Sequence, residues 1–289
     1  MKRRKSIKIL ALGVIYSFIP VQRISAMVIY CTEQCKNAWI GLSKFNATRY
    51  QFRYIEPTSH LPKVFIYGDS ISIGYTEYVR ASFKGKADVF RLHVNGGSSD
   101  SFISKMDTFR KALFQPSLNE CWNFEWDVIH FNVGLHDLKY LNNRKLDKEY
   151  GIQVSSLETY KNNLRKIIRY LKKNYPKTQL IFATTTPVPV GEPGRFVGDS
   201  KRYNKAALEV IKNFEDIAIN DLYKFSIPVL KAHAVKPGNV HYTDEGSRLQ
   251  GIEVAKSIAN VMGLEINDCP SASIINEQTK VYEKIHKKN

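Results

Sequence analysis

Acidic residues are scarce in this chain. It has 27 Asp and Glu against 43 Lys and Arg, a formal net charge of +16 at pH 7. That balance points to anionic surfaces, such as acidic polysaccharide or phospholipid headgroups, as contacts. Long hydrophobic runs are also lacking. The apolar stretch Ile9–Val21, "ILALGVIYSFIPV", has 13 residues, whereas a membrane-spanning helix needs about 20. There are only 4 cysteines among 289 residues, and no histidine stands beside them at ligand spacing, so no metal site is expected. No RNA- or DNA-binding motif is present, which argues against a nucleic-acid partner. No internal repeat or low-complexity tract occurs. The glycine spacing of a phosphate-binding loop is missing after the first strand, which argues against a nucleotide-binding protein.

The N-terminus carries Lys2, Arg3, Arg4, Lys5 and Lys8, then the apolar stretch, then "ISA" at Ile24–Ala26. A basic n-region, a short h-region and a small-residue site form a secretory-signal pattern over residues 1–26. Its removal leaves a net charge of +10. The remaining expected divisions are an irregular N-terminal extension at 27–60, a domain at 61–263 and a loose polar tail at 264–289. An even cysteine count in an exported chain suggests disulfides among Cys31, Cys35, Cys121 and Cys269. Three pairings are open. Cys31 with Cys35 would be a local staple, and Cys121 with Cys269 would tie down the tail.

From Lys63 onward, strand and helix patterns alternate. Short apolar runs at Lys63–Tyr67, Ala87–Leu92, Asp127–Val133, Gln179–Thr185 and Glu215–Asp221 have the composition of buried parallel strands. Helices are predicted after the first strand to about Phe83, over Ser156–Asn174, around Ser200–Asn213 and over Thr243–Met262. In the second of these, Leu157, Tyr160, Leu164, Ile167, Ile168 and Leu171 share one face. This alternation predicts an α/β fold, a parallel sheet with helices on both sides. In such sheets the functional residues lie beyond the carboxyl ends of the strands.

The segments at those ends have a chemical pattern. "GDS" (Gly68–Ser70) follows the first strand, "VNGGSSDS" (Val94–Ser101) the second, and "GLHD" (Gly134–Asp137) the third. A Pro/Gly loop, "TTPVPVGEPGRFVG" (Thr185–Gly198), follows the fourth, and "GNVHYTDEG" (Gly238–Gly246) precedes the last helix. Ser70, at a strand-to-helix junction, is either a helix cap or a nucleophile. A nucleophilic serine needs a base, and His241 is within reach in this topology. The oxyanion formed on attack needs preorganised donors.

The "GDSIS" segment, the glycine after the second strand, "GLHD" and "NVHYTDEG" resemble the four sequence blocks of the SGNH/GDSL hydrolases, in order, over roughly Lys63 to Met262. The resemblance implies a three-layer flavodoxin-like sandwich with a central parallel sheet of about five strands. It also implies an esterase that removes acyl groups, often acetyl groups from carbohydrates, without a cofactor. It would make Ser70 the nucleophile and His241 the general base. The N–H groups of Ser70 and Gly97 (or Gly96) and the side chain of His136 would be oxyanion donors. The Gly191–Arg195 loop would be a substrate-contacting flap.

Two positions depart from the family pattern. His136 stands where Asn is usual, although a neutral imidazole can still donate one hydrogen bond. The family's triad acid lies two or three residues before the histidine, where this chain has Asn239 and Gly238. Asp69 and Asp137 are further site candidates, with helix capping or loop tethering as their structural roles. The expectation is thus an exported serine esterase on a small-molecule or polysaccharide ester. The alternatives are a catalytically weakened glycan- or surface-binding protein on the same fold and an O-acyltransferase.

Overall fold

The computed structural model describes residues 21–287. The expected signal segment therefore lies largely outside the described residues. Helix α1, Val21–Ser43, runs through the expected cleavage point and on into the region expected to be irregular. Within it, Cys35 and Trp39 are buried and Ala38 and Leu42 pack beside them on the core. That three- and four-residue spacing is the signature of a helix seated by one apolar face.

Strand β1 (Lys63–Tyr67) is buried at all five positions, as a strand covered on both faces must be. It leads through Gly68 and Asp69 into α2 (Ser70–Ser82). The chain then forms β2 (Asp88–Arg91), α3 (Phe102–Leu113) and β3 (Val128–Phe131). Next comes a small excursion of three short strands: β4 (Tyr140–Asn142), β5 (Lys145–Leu146) and β6 (Ile152–Gln153). The alternation resumes with α4 (Leu157–Asn174), β7 (Gln179–Ala183), α5 (Asp199–Ile211), β8 (Ile217–Asn220), α6 (Leu222–His233) and α7 (Asp244–Met262). Helix α8, Ala272–His286, closes the chain.

The five long-range strands form one parallel sheet in the order β2-β1-β3-β7-β8. Phe65 of β1 sits opposite Phe90 on one side and Ile129 on the other. The order reverses between β1 and β3, so the crevice of a doubly wound sheet opens beyond the end of β1, where Ser70 lies. The expected strands and helices all appear, with boundaries displaced by one or two residues. Tyr160, Leu164, Ile167, Ile168 and Leu171 of α4 are buried as the spacing predicts, each worth about 1.5–3 kcal/mol of apolar burial.

Three expectations are corrected. The N-terminal extension is helical, as described. The tail is not loose: Ile275 of α8 is buried, the Tyr282 hydroxyl donates to the Ala47 carbonyl at 3.0 Å, and Asn276 Nδ2 donates to Asp244 Oδ2 at 2.7 Å. Finally, neither suggested cysteine pairing forms. Cys35 of α1 is bonded to Cys121, 86 residues on, and the Cys269 thiol lies against the Tyr78 carbonyl instead. The bond fastens α1 over the aromatic cluster of Phe109, Phe114, Trp122 and Trp126. Among the described residues, no helix is long and apolar enough to cross a membrane.

Candidate active site

The turn from β1 into α2 decides what Ser70 does. Asp69 is the helix cap, its Oδ1 accepting from the Ile71 N–H at 2.9 Å. Gly68 permits the sharp approach, because a Cβ there would meet Ser72 Cβ at 2.8 Å. Ser70 becomes the first residue of the helix, and its own hydroxyl is free of capping. Its Oγ lies 2.9 Å from His241 Nε2. The two residues are 171 positions apart in sequence.

His241 is held by a loop tied at its base. The Val235 N–H donates to the His241 carbonyl at 3.0 Å, and Thr243 N–H to the His233 carbonyl at 2.8 Å. Gly238, at φ 69°, sits where a side chain would strike the Gly191 carbonyl at 2.6 Å, so the loop packs directly on the Gly191–Arg195 loop.

The group behind the imidazole is Asn239. Its Oδ1 lies 2.8 Å from His241 Nδ1 and also 2.8 Å from the His241 backbone nitrogen. The backbone N–H can only donate, so the amide atom facing it is the oxygen. The ring Nδ1 must then be the donor as well, which leaves the Nε2 lone pair to accept the Ser70 hydroxyl proton. Burial lowers the His241 pKa, the nearby Asp69 charge raises it and Arg195 lowers it again, with a net downward shift. The imidazole is accordingly neutral near pH 7.

His136 is resolved by the same reasoning. Its Nδ1 lies 3.1 Å from Lys139 Nζ. A lysine ammonium has only protons to offer, so Nδ1 accepts and the proton of the neutral ring sits on Nε2. Burial, helped by the charges of Lys139 and Arg195 and opposed by that of Asp69, pushes the His136 pKa down to about 4. His136 can therefore be a neutral donor, as an oxyanion site requires.

Both expected glycine donors already have acceptors. The Gly97 N–H donates to Asn95 Oδ1 at 3.0 Å, and the Gly96 N–H to the Gly68 carbonyl at 2.9 Å. Asn95, which the sequence reading did not single out, lines the cleft together with Ser70, His136 and His241. Its oxygen is occupied by Gly97, which leaves its Nδ2 protons unpartnered among the described residues. The signal was present in "VNGG", but Asn before Gly-Gly is equally a turn residue. The Ser70 N–H likewise takes no acceptor among the described residues.

Asp137 is buried and structural in its contacts. It accepts from the Ser99 N–H at 3.0 Å and the Ser99 hydroxyl at 2.5 Å, joining the loop after β2 to the loop after β3. Burial raises its pKa to about 6. The cleft itself has a volume of about 620 Å³, and the Gly191–Arg195 loop forms one wall. That wall is braced by the small sheet, with Tyr140 N–H donating to the Gly194 carbonyl at 2.7 Å and Lys148 N–H to the Pro193 carbonyl at 2.9 Å. Arg195 Nε donates to the Leu135 carbonyl at 2.9 Å, which ties the loop to the "GLHD" segment. Among the described residues, no group of three His, Cys, Asp or Glu is placed to hold a metal.

No family model matches the sequence, and no curated protein does. Solved structures do. The lipase/acylhydrolase from Enterococcus faecalis superposes with a TM-score of 0.52 at 17% identity, covering 72% of this chain and 100% of that one. A GDSL-like lipase from Parabacteroides merdae gives 0.51 at 16% identity, covering 72% and 100%. This is the SGNH/GDSL hydrolase fold. A catalytic mutant of Axe2, an acetylxylan esterase from Geobacillus stearothermophilus, shares the SGNH fold at a TM-score of 0.50 and 16% identity, covering 73% and 98%. At these identities the likeness is one of fold.

Proposed function

We propose that this chain is a serine esterase of the SGNH/GDSL type, acting on acyl esters, with an acetylated carbohydrate as the favoured substrate class. The observation that carries the reading is the unbroken chain of contacts from Ser70 Oγ through the His241 imidazole to Asn239 Oδ1, at 2.9 Å and 2.8 Å. A neutral base, held in the tautomer that accepts at Nε2, is what serine activation needs. The acetylxylan esterase on the same fold supports the substrate class.

Ser70 Oγ attacks the ester carbonyl carbon as its proton passes to His241 Nε2. Negative charge gathers on the former carbonyl oxygen. The Ser70 N–H, the His136 Nε2–H and the Asn95 amide are the donors assigned to it, and the amino end of α2 adds its dipole. The tetrahedral species collapses, the C–O bond to the alcohol breaks, and that alcohol leaves with the proton from His241. Water then repeats the sequence on the acyl-serine, giving the carboxylic acid and regenerating Ser70. A sugar hydroxyl in place of water would make the same site an O-acyltransferase.

The basic and apolar N-terminal pattern and the Cys35–Cys121 bond support export, tested by N-terminal sequencing of the protein recovered outside the cytoplasm. The activity is tested by p-nitrophenyl acetate hydrolysis beside Ser70→Ala and His241→Ala. Turnover lost in both variants is expected. Turnover absent in the parent would favour a binding protein, and turnover that survives both changes would refute the assignment.

A further inference from the structure

The cleft at Ser70 is walled by cations. Lys139, Arg144, Arg195 and Lys236 line it, against one carboxylate, Glu192. The whole chain has 43 basic to 27 acidic residues, so the excess here goes beyond the general basicity of the surface. Glu192 is also fully committed. Its Oε1 accepts from Arg195 Nη1 and its Oε2 from the Gly194 N–H at 2.7 Å. It offsets at most the Arg195 charge.

Among the described residues, none of the other three cations forms an ion pair. The hydrogen-bond partner of Lys139 is a neutral ring, His136 Nδ1, and burial together with the Arg195 charge lowers the Lys139 pKa against the opposing pull of Asp69 and Asp137, which make no ion pair with it. Arg195 is 5% exposed, yet its Nη2 takes no acceptor among the described residues. Arg144 and Lys236 make no ion pair there either. Arg144 also occupies a demanding backbone position. It is the second residue of the two-residue loop between β4 and β5, with φ 48° at Asn143 and 66° at Arg144. Such loops favour Gly, Asn or Asp. An arginine kept there, at the rim of the cleft, calls for a local reason.

We infer that the ester taken by this site carries a negatively charged group, a carboxylate or a phosphate, on its alcohol portion, seated among Arg195, Lys139, Arg144 and Lys236. This rests on the esterase reading above and adds the substrate's charge to it. Three unpaired cations around one cleft repel one another, and an anion entering it relieves that repulsion while gaining charge-assisted hydrogen bonds.

The test compares matched acetyl esters that differ only in charge. One pair is monoacetylated methyl glucuronoside against monoacetylated methyl glucoside, and the other is acetylglycerol phosphate against monoacetin. The expected result is a kcat/KM roughly tenfold to a hundredfold higher for one anionic member, mostly through KM. The preference should narrow in 0.5 M salt, where screening acts over about 4 Å. It should also narrow in the double variant Arg144→Gln/Lys236→Gln, checked for folding by its thermal midpoint. The pair that shows the preference distinguishes carboxylate from phosphate. Equal or lower kcat/KM for both anionic members, or a preference unchanged in the double variant, overturns the inference and leaves the esterase reading standing. If no ester turns over, calorimetric titration of Ser70→Ala protein with methyl glucuronoside and with glycerol phosphate decides instead. Neither binding more tightly than its neutral counterpart overturns the inference.

Discussion

Replacing Asn239 by Asp would convert the Ser-His-Asn arrangement into a Ser-His-Asp one with almost no change of shape. The oxygen that accepts from His241 Nδ1 and from the His241 backbone N–H, both at 2.8 Å, would become a carboxylate oxygen. Its charge would stand roughly 4 Å from the centre of the imidazolium that forms during attack. Two unit charges at that distance attract by about 1 kcal/mol in bulk water and about 4 kcal/mol near a protein surface. His241 is solvent-exposed on one side, so about 1.5–3 kcal/mol is the reasonable span, or a rise of about 1–2 units in its pKa. The sign follows directly. In the proposed mechanism His241 acts as the neutral base, and its pKa lies below the ordinary histidine value because of burial and Arg195. The acid limb of kcat/KM for the parent should therefore fall below pH ~6.5. In Asn239→Asp it should move up by about 1–2 pH units, and kcat on the alkaline plateau should rise by about tenfold. In serine proteases the reverse change, Asp to Asn, costs about 10⁴ because it selects the wrong tautomer. Here the backbone N–H pins the amide oxygen toward Nδ1, so the tautomer is already right and only the charge is missing. The assay is p-nitrophenyl acetate hydrolysis from pH 4.5 to 9. An acid limb that does not move would refute the contact between Asn239 and His241, and a gain of 10³ or more would refute the tautomer argument.

Asn95→Ala should lower kcat by roughly 10- to 1,000-fold with little change in KM, as loss of an oxyanion donor does, read by steady-state kinetics with near-UV circular dichroism as the folding check. Cys35→Ser should cost up to about 4–5 kcal/mol by the loop-entropy account, since 86 residues separate the bonded cysteines, and urea unfolding of the two proteins measures it. Stability should fall as pH is lowered below about 6.5. His93, His130 and His136 are held neutral by burial, with pKa values pushed down to about 4, about 3 and about 4, so the unfolded chain gains protons there before the folded one. Asp137, raised to about 6 by burial, acts in the opposite direction between pH 6 and 4. The net of three histidines against one aspartate is a loss of about 2–3 kcal/mol per pH unit, seen as a falling urea midpoint. A midpoint that rises over that interval would refute this accounting.

Much of the molecule was legible as local pattern. Five short apolar runs, each followed by a helical or loop segment with its own cap, contain their information within a dozen residues, and all five became strands of one sheet. Ser70, His136 and His241 could be picked out because a doubly wound sheet delivers its loops to one end. The two terminal helices were legible in principle. Cys35, Ala38, Trp39 and Leu42 in α1, and Ile275, Thr279 and Tyr282 in α8, recur at helical spacing, but polar neighbours obscured the pattern. The three short strands of the excursion are two or three residues each, too short for any period to register.

What the sequence determined by itself was the architecture and which serine and histidine are the candidates for nucleophile and base, because these follow from periodicity and from residue types at strand ends. Which partner each polar group takes was decided only by the tertiary structure. The Asn239 oxygen turned toward two N–H groups of His241, the glycine N–H groups were used by Asn95 and Gly68, and Cys35 found Cys121 across the aromatic cluster. Those outcomes depend on distances of a few tenths of an ångström between segments far apart in the chain. A hydrogen bond or a disulfide is set by that closure, and no local pattern encodes it.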